Sequence, residues 1–191
     1  MQNIRLTRSV VAPVLAATVV LVGIAGPSFG AAPARHTVSF TSPFVDEGSR
    51  PSEPGACGPA RPGVCDMRIH GSAYFTGQLS TFVDYFGYMH LDPVTQKIRG
   101  ETWDHHTGSL KGCGEGSFVM HQTDISADPA TFNPATGTYR LALKWSILPG
   151  SGTGAFTGAT GGGDGVGDFR PDFSNTGYYH GHVTCRVGQS S

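Results

Sequence analysis

Glu101 is the residue whose setting most suggests chemistry. It lies two positions from both Arg99 and Trp103, so in an extended chain the three share one face. Tryptophan is most stable when buried, which would turn that face inward. A carboxylate beside an indole in a cavity has a raised pKa and can serve as general acid or base. The competing arrangement is a solvated Glu101 paired with Arg99. Eight histidines are the next candidates. His180-Gly-His182 puts two imidazoles on one strand face, a spacing that metal sites use, and His105, His106 and His121 could complete a set. Val183 and Cys185 take the opposite face, however, and are the better core residues. His180 and His182 therefore point outward, and no metal site is assigned. His70 and His90 stand alone and read as surface groups.

The glycine strings do not make a phosphate site. Gly150-Ser-Gly-Thr-Gly154 has no following helix and no Gly-Lys-Ser/Thr ending, so it is not a P-loop. Gly161 to Asp168 is a single copy of a glycine-aspartate pattern and reads as a loop. No nucleophile elbow is present. No cofactor is implied. The aromatic residues Tyr74, Tyr85, Trp103, Tyr139 and Trp145 are candidates to line an apolar pocket, with Tyr85, Trp103, Tyr139 and Trp145 as the cavity set.

Strands must position these groups. Helical periodicity is nearly absent, and alternation runs for 6–12 residues between turn signals. Eight strands are expected, at about 36–42, 67–77, 79–90, 97–107, 116–126, 137–148, 153–162 and 176–187. Residues 42–60, with four prolines, read as an irregular loop, and 161–172 as a glycine-rich one. In the sixth strand Tyr139, Leu141, Leu143, Trp145 and Ile147 face the core. The third strand is apolar on both sides, with Leu79, Val83, Tyr85 and Met89 opposite Phe82, Phe86 and Tyr88. Its outer side then needs a cover, either a loop or another subunit of a homo-oligomer. Eight antiparallel strands of this length close naturally into an up-and-down β-barrel that can hold one small ligand.

The N-terminus sets the destination. Arg5 and Arg8 precede an apolar run from Val10 to Ala25, and Ala32-Pro-Ala34 offers a cleavage site. Residues 1–34 are expected to be a secretory signal peptide and residues 35–191 a single secreted domain. The run is too short for a membrane anchor, which needs ~20 residues. Removing the signal takes two of the 13 basic residues and none of the 14 acidic ones, which leaves a net charge of −3. No basic patch remains, so nucleic acid is not an expected partner, and neither is a membrane. Cys57, Cys65, Cys113 and Cys185 make an even number in an exported chain, which reads as two disulfides. Three pairings exist. The turn-rich loop between Cys57 and Cys65, and the shared rim of Cys113 and Cys185, favour Cys57–Cys65 with Cys113–Cys185. No C-x-x-C spacing suggests zinc.

Two segments carry a resemblance. Gly116-Ser-Phe-Val-Met-His121, and Trp145-Ser-Ile-Leu-Pro-Gly-Ser-Gly-Thr-Gly154 followed by Phe156-Thr-Gly158, are similar to the pattern of an uncharacterised bacterial family of small barrels. That family is itself similar to the allene oxide cyclase and dirigent barrels. Glu101-Thr-Trp103 resembles its upstream strand, and the likeness covers roughly residues 67–185. It implies an eight-stranded, allene oxide cyclase-like and calycin-like barrel with an apolar central cavity. Two functions follow as expectations: binding of a small hydrophobic molecule, or cyclase- or isomerase-like turnover of a reactive one. A third is a structural or interaction protein with a filled barrel.

Overall fold

The computed structural model describes residues 34–48, 50–51, 65–92, 94–95, 97–170 and 172–186. The expected signal peptide and the Cys57–Cys65 pairing lie outside the described residues. The described residues are all β apart from one 3-10 turn at Gly154–Phe156. The strands are β1 (Arg35–Asp46), β2 (Arg50–Pro51), β3 (Cys65–Phe75), β4 (Leu79–Leu91) and β5 (Ile98–Leu110). They continue with β6 (Gly114–Asn133), β7 (Thr138–Ile147), β8 (Thr160–Phe169) and β9 (Asn175–Arg186).

Eight long antiparallel strands form one closed ring. From β3 to β9 each strand pairs with the next in sequence. β1 pairs with β9 along its whole length, from Arg35↔Arg186 to Asp46↔Asn175. Its last residues also pair with β3, from Phe44↔Phe75 to Asp46↔Ala73, and this second pairing closes the ring. The two-residue β2 adds to the outside of β3. The closing seam is short, three residue pairs, so Arg35 to Pro43 of β1 pair with β9 alone.

Alternation sets what lies inside. Every second residue of β4 from Leu79 to Met89 is buried, and in β7 Leu141, Leu143, Trp145 and Ile147 are buried while their neighbours are exposed. The core runs through Phe40, Phe44, Val83, Leu110, Phe118, Met120 and Val183. Each such side chain adds ~1.5–3 kcal/mol by leaving water.

Two rims result. At one, Cys113, in the turn after β5, is bridged to Cys185 on β9, with Cα atoms 5.9 Å apart. The other rim holds Asp46, Met89, Phe169 and Asn175.

The expected seventh strand at 153–162 is a correction. The Pro149–Gly154 string turns across the disulfide rim and delivers Phe156, fully buried, against Phe118 at 4.7 Å between ring centroids. Thr153 and Ser151 hold it there: the Ser117 amide donates to Thr153 Oγ1 at 3.1 Å and the Val119 amide to Ser151 Oγ at 3.0 Å. A Cβ at Gly152 would lie 1.8 Å from the Phe156 carbonyl oxygen, so the string is glycine-rich because its own turn leaves no room.

The strand itself, β8, occupies the stretch expected to be a loop. Its glycines pack against the β9 backbone: Gly163 pairs with Gly181, and Gly167 with Gly177. A Cβ at Gly163 would lie 2.0 Å from the His180 carbonyl oxygen and 2.7 Å from the Gly181 Cα. Gly163→Ala is accordingly expected to lose about 3 kcal/mol, in the range of overpacking. Equilibrium denaturation reads this, and a loss under about 1 kcal/mol would show that the two strands can separate without strain.

Candidate functional site

Behind the rim opposite the disulfide lies a cavity of about 50 Å3. Most of its wall is apolar, from residues such as Phe75, Met89, Ile125, Leu143 and Phe169. Into this wall five strands place largely buried polar groups. Asp46 ends β1, Tyr85 comes from β4, Thr102 and Asp104 from β5, Gln122 from β6, and Asn175 and Tyr179 from β9.

Asp46 is well held. The Tyr85 hydroxyl reaches its two carboxylate oxygens at 3.1 and 2.9 Å, Asn175 Nδ2 donates at 2.6 Å and the Gly48 amide at 2.9 Å. Burial raises its pKa, and these bonds oppose that. Tyr85 reaches inward because residue 71 is glycine: a Cβ there would lie 2.4 Å from the Tyr85 hydroxyl oxygen.

Asp104 is held less completely. Gln122 Nε2 donates to its Oδ2. Its Oδ1 and the Thr102 Oγ1 are buried and meet no partner with ordinary hydrogen-bond geometry among the described residues. The nearby Thr102 hydroxyl tends to lower the Asp104 pKa. Burial, with the charge of Asp46, outweighs it and pushes Asp104 up to about 7. Burial also raises the Tyr179 phenol well above its ordinary value, with Asp104 and Asp46 adding to the effect, so Tyr179 is neutral. The site therefore joins two acidic groups and two phenols in an apolar chamber, and one acid titrates near neutrality.

The cavity is small. At ~10–15 Å3 for each water-sized group it accepts roughly three to five non-hydrogen atoms. Phe173 lies at its wall and packs edge-on against Phe169 at 5.7 Å. Its φ of 66° is a left-handed conformation rare for a bulky residue, and the turn is held by bonds between Arg170 and both Phe173 and Ser174.

The structure distributes the sequence candidates differently. Glu101, Arg99 and Trp103 stand on the outer face of β5, because Thr102, Asp104 and His106 take the inner one. The inward orientation expected of Glu101 and Trp103 is thus corrected. Trp103 shields its indole by stacking between Phe86 at 5.6 Å and His121 at 4.8 Å. Glu101 Oε2 meets His121 Nε2 at 3.2 Å rather than pairing with Arg99. Tyr85 lines the cavity. Tyr139 and Trp145 share its inner face on β7, but Tyr139 packs on Phe132 at 5.1 Å and Trp145 on Phe40 at 5.7 Å, outside the lining.

The histidines do not converge. His180 and His182 are exposed, while His106 is in the core, bonded through Nδ1 to Thr81 at 2.9 Å and stacked on Phe118. Burial lowers its pKa to about 3, so it is neutral. Among the described residues the one convergent set of three potential ligands is His36, Cys113 and Cys185, whose sulfurs are bonded to each other.

Fold and site together define a closed, eight-stranded antiparallel ring with a small acid-lined chamber at one end. This chain is similar to a solved structure from Shewanella oneidensis MR-1, a protein of unknown function from the DUF3224 family. The likeness has a TM-score of 0.54 at 19% identity and covers 80% of this chain and 99% of the other, so it speaks for the fold alone. No protein-family model and no curated protein matches the sequence.

Proposed function

We propose that this is an exported up-and-down barrel of the allene oxide cyclase-like and dirigent-like kind, which binds the polar head of a small hydrophobic molecule beside Asp104. The observation that carries the reading is Asp104 Oδ1, a buried acceptor without a partner in an otherwise apolar wall. Such an atom is costly unless something meets it. The chamber has room for a head group, and the apolar body would lie towards the rim at Phe173. A buried disulfide supports export. No helix among the described residues is long and apolar enough to cross a membrane.

Thermal denaturation with a primary alkylamine, an alcohol and a carboxylate of equal chain length tests the reading. The amine and the alcohol should raise Tm and the carboxylate should not. The amine should bind more tightly as pH rises through about 7, where Asp104 becomes an anion. Asp104→Asn should abolish the amine's effect. No response to any of the three, with a bare mass in the native spectrum of protein from its own host, would sink the idea and leave the filled-barrel reading. The same spectrum tests export: a chain beginning near Arg35 and lighter by the hydrogens of its disulfides is expected.

A second reading is a cyclase- or isomerase-like enzyme, favoured by an acid that titrates at about 7. Asp104→Asn would then lose turnover and keep substrate binding, while Glu101→Gln, on the outer face, would keep both.

A further inference from the structure

The outer side of β3 to β6 carries an aromatic surface that nothing in the chain covers among the described residues. Tyr74, Phe82, Phe86 and Tyr88 are 45%, 39%, 49% and 46% exposed. Their rings form two neighbouring groups: Tyr74 meets Phe82 at 5.2 Å, while Phe86 meets Trp103 at 5.6 Å, and Trp103 meets Tyr88 at 6.2 Å and His121 at 4.8 Å. The surface is one-sided. On the far side of the ring the outward residues of β7 are Arg140, Ala142, Lys144 and Ser146. A bilayer would require an apolar belt all round, so lipid does not fit. A sugar needs open ring faces, but Phe86, Trp103 and His121 lie within 14° and 10° of parallel and spend their faces on one another. They offer edges, which suit the side chains of a protein.

The register says which protein. Arg68, Tyr88 and Glu101 lie at one level across β3, β4 and β5. Ser72, Asp84 and His105 lie at another, with His70, Phe86 and Trp103 between them. We propose that this face joins two copies of the chain about a two-fold axis running along β4. Such an axis lays β3 of one protomer over β5 of its partner. Arg68 then stands opposite Glu101 of the partner subunit, and symmetry makes the same contact twice. Phe86 and Tyr88, near the axis, meet their own copies. The Arg68 and Glu101 charges are thus complementary across the axis, while Asp84, on β4, meets its own copy with His105 beside it. Four rings at roughly half of ~200 Å2 each supply about 400 Å2. Arg68, Glu101, Trp103, His105 and His121 carry the total towards the ~800 Å2 per partner of a standard interface.

Size-exclusion chromatography with light scattering on the exported chain is the test. At tens of micromolar the wild type should run at twice the mature mass. Arg68→Glu alone and Glu101→Arg alone each set like charges opposite one another twice, and each should raise the dimer dissociation constant ~tenfold or more. The double variant R68E/E101R exchanges the two signs and should restore the dimer. Circular dichroism checks that each variant is folded, and the wild-type mass is decisive without any variant. A monomeric wild type overturns the proposal and assigns the face to an unlike partner. A double variant no tighter than the single ones overturns the two-fold arrangement.

Discussion

Asp104→Asn is expected to make the protein more stable at pH 8 and to leave it almost unchanged at pH 4. Asp104 has its pKa raised from 3.8 to about 7, so the folded state holds this proton more tightly than the unfolded chain does. Its stabilising contribution is complete below about pH 4, declines as pH rises, and is gone above about pH 7. A difference of roughly three pKa units corresponds to about 4 kcal/mol. Asparagine keeps the shape and still accepts from Gln122 through its amide oxygen, but it carries no charge to desolvate. The gap between variant and wild type should therefore open from near zero at pH 4 to as much as ~4 kcal/mol at pH 8, or ~10 °C in Tm for a domain of this size. Urea denaturation at the two pH values measures it. Parallel stabilities at both pH values would show that Asp104 ionises in the folded protein no differently from an exposed acid.

Removing the bridge at the other rim should act as strongly and without this pH dependence. Cys113 and Cys185 are 72 residues apart in sequence, and both are buried. In the loop-entropy account, freeing a loop of that length in the unfolded chain lowers stability by about 4 kcal/mol. The double variant Cys113→Ala/Cys185→Ala is expected to lose that amount, and each single variant about as much, because either one opens the bridge. Calorimetry of the oxidised protein reads the change. A double variant within about 1 kcal/mol of wild type would mean that closure of the ring, not the bridge, restrains these ends.

Much of the ring was legible because alternation is a local signal. The third expected strand, 79–90, is β4 at Leu79–Leu91, and the core face expected for the sixth is the buried face of β7. The pairing of Cys113 with Cys185, favoured among three by the Cys57–Cys65 loop and by strand parity, is present. The glycine-rich stretch reads as a loop for an equally local reason. Glycine lowers strand preference when no neighbour is considered. In β8 the neighbour is everything, since the β9 backbone occupies the space a side chain would need.

The candidate site was harder to see. Thr102, Asp104 and His106 alternate with Glu101, Trp103 and His105 in a strand where hydropathy favours neither set as the inner one. By itself the sequence determined the strand count, the two-residue period and the excess of aromatic side chains on β4, and it favoured the bridge at one rim. Each of these depends on neighbours along the chain or on simple parity. Only the tertiary structure decided that β5 turns Asp104 inward and Trp103 outward, and that Asp46 arrives beside Asp104 from 58 positions earlier. The phase of a strand in a closed ring is chosen by how all eight inner faces fill one shared volume. Here Phe75, Phe118 and Leu143 fill most of it, and the residue left over is a chamber small enough for acids held by tyrosine, asparagine and glutamine.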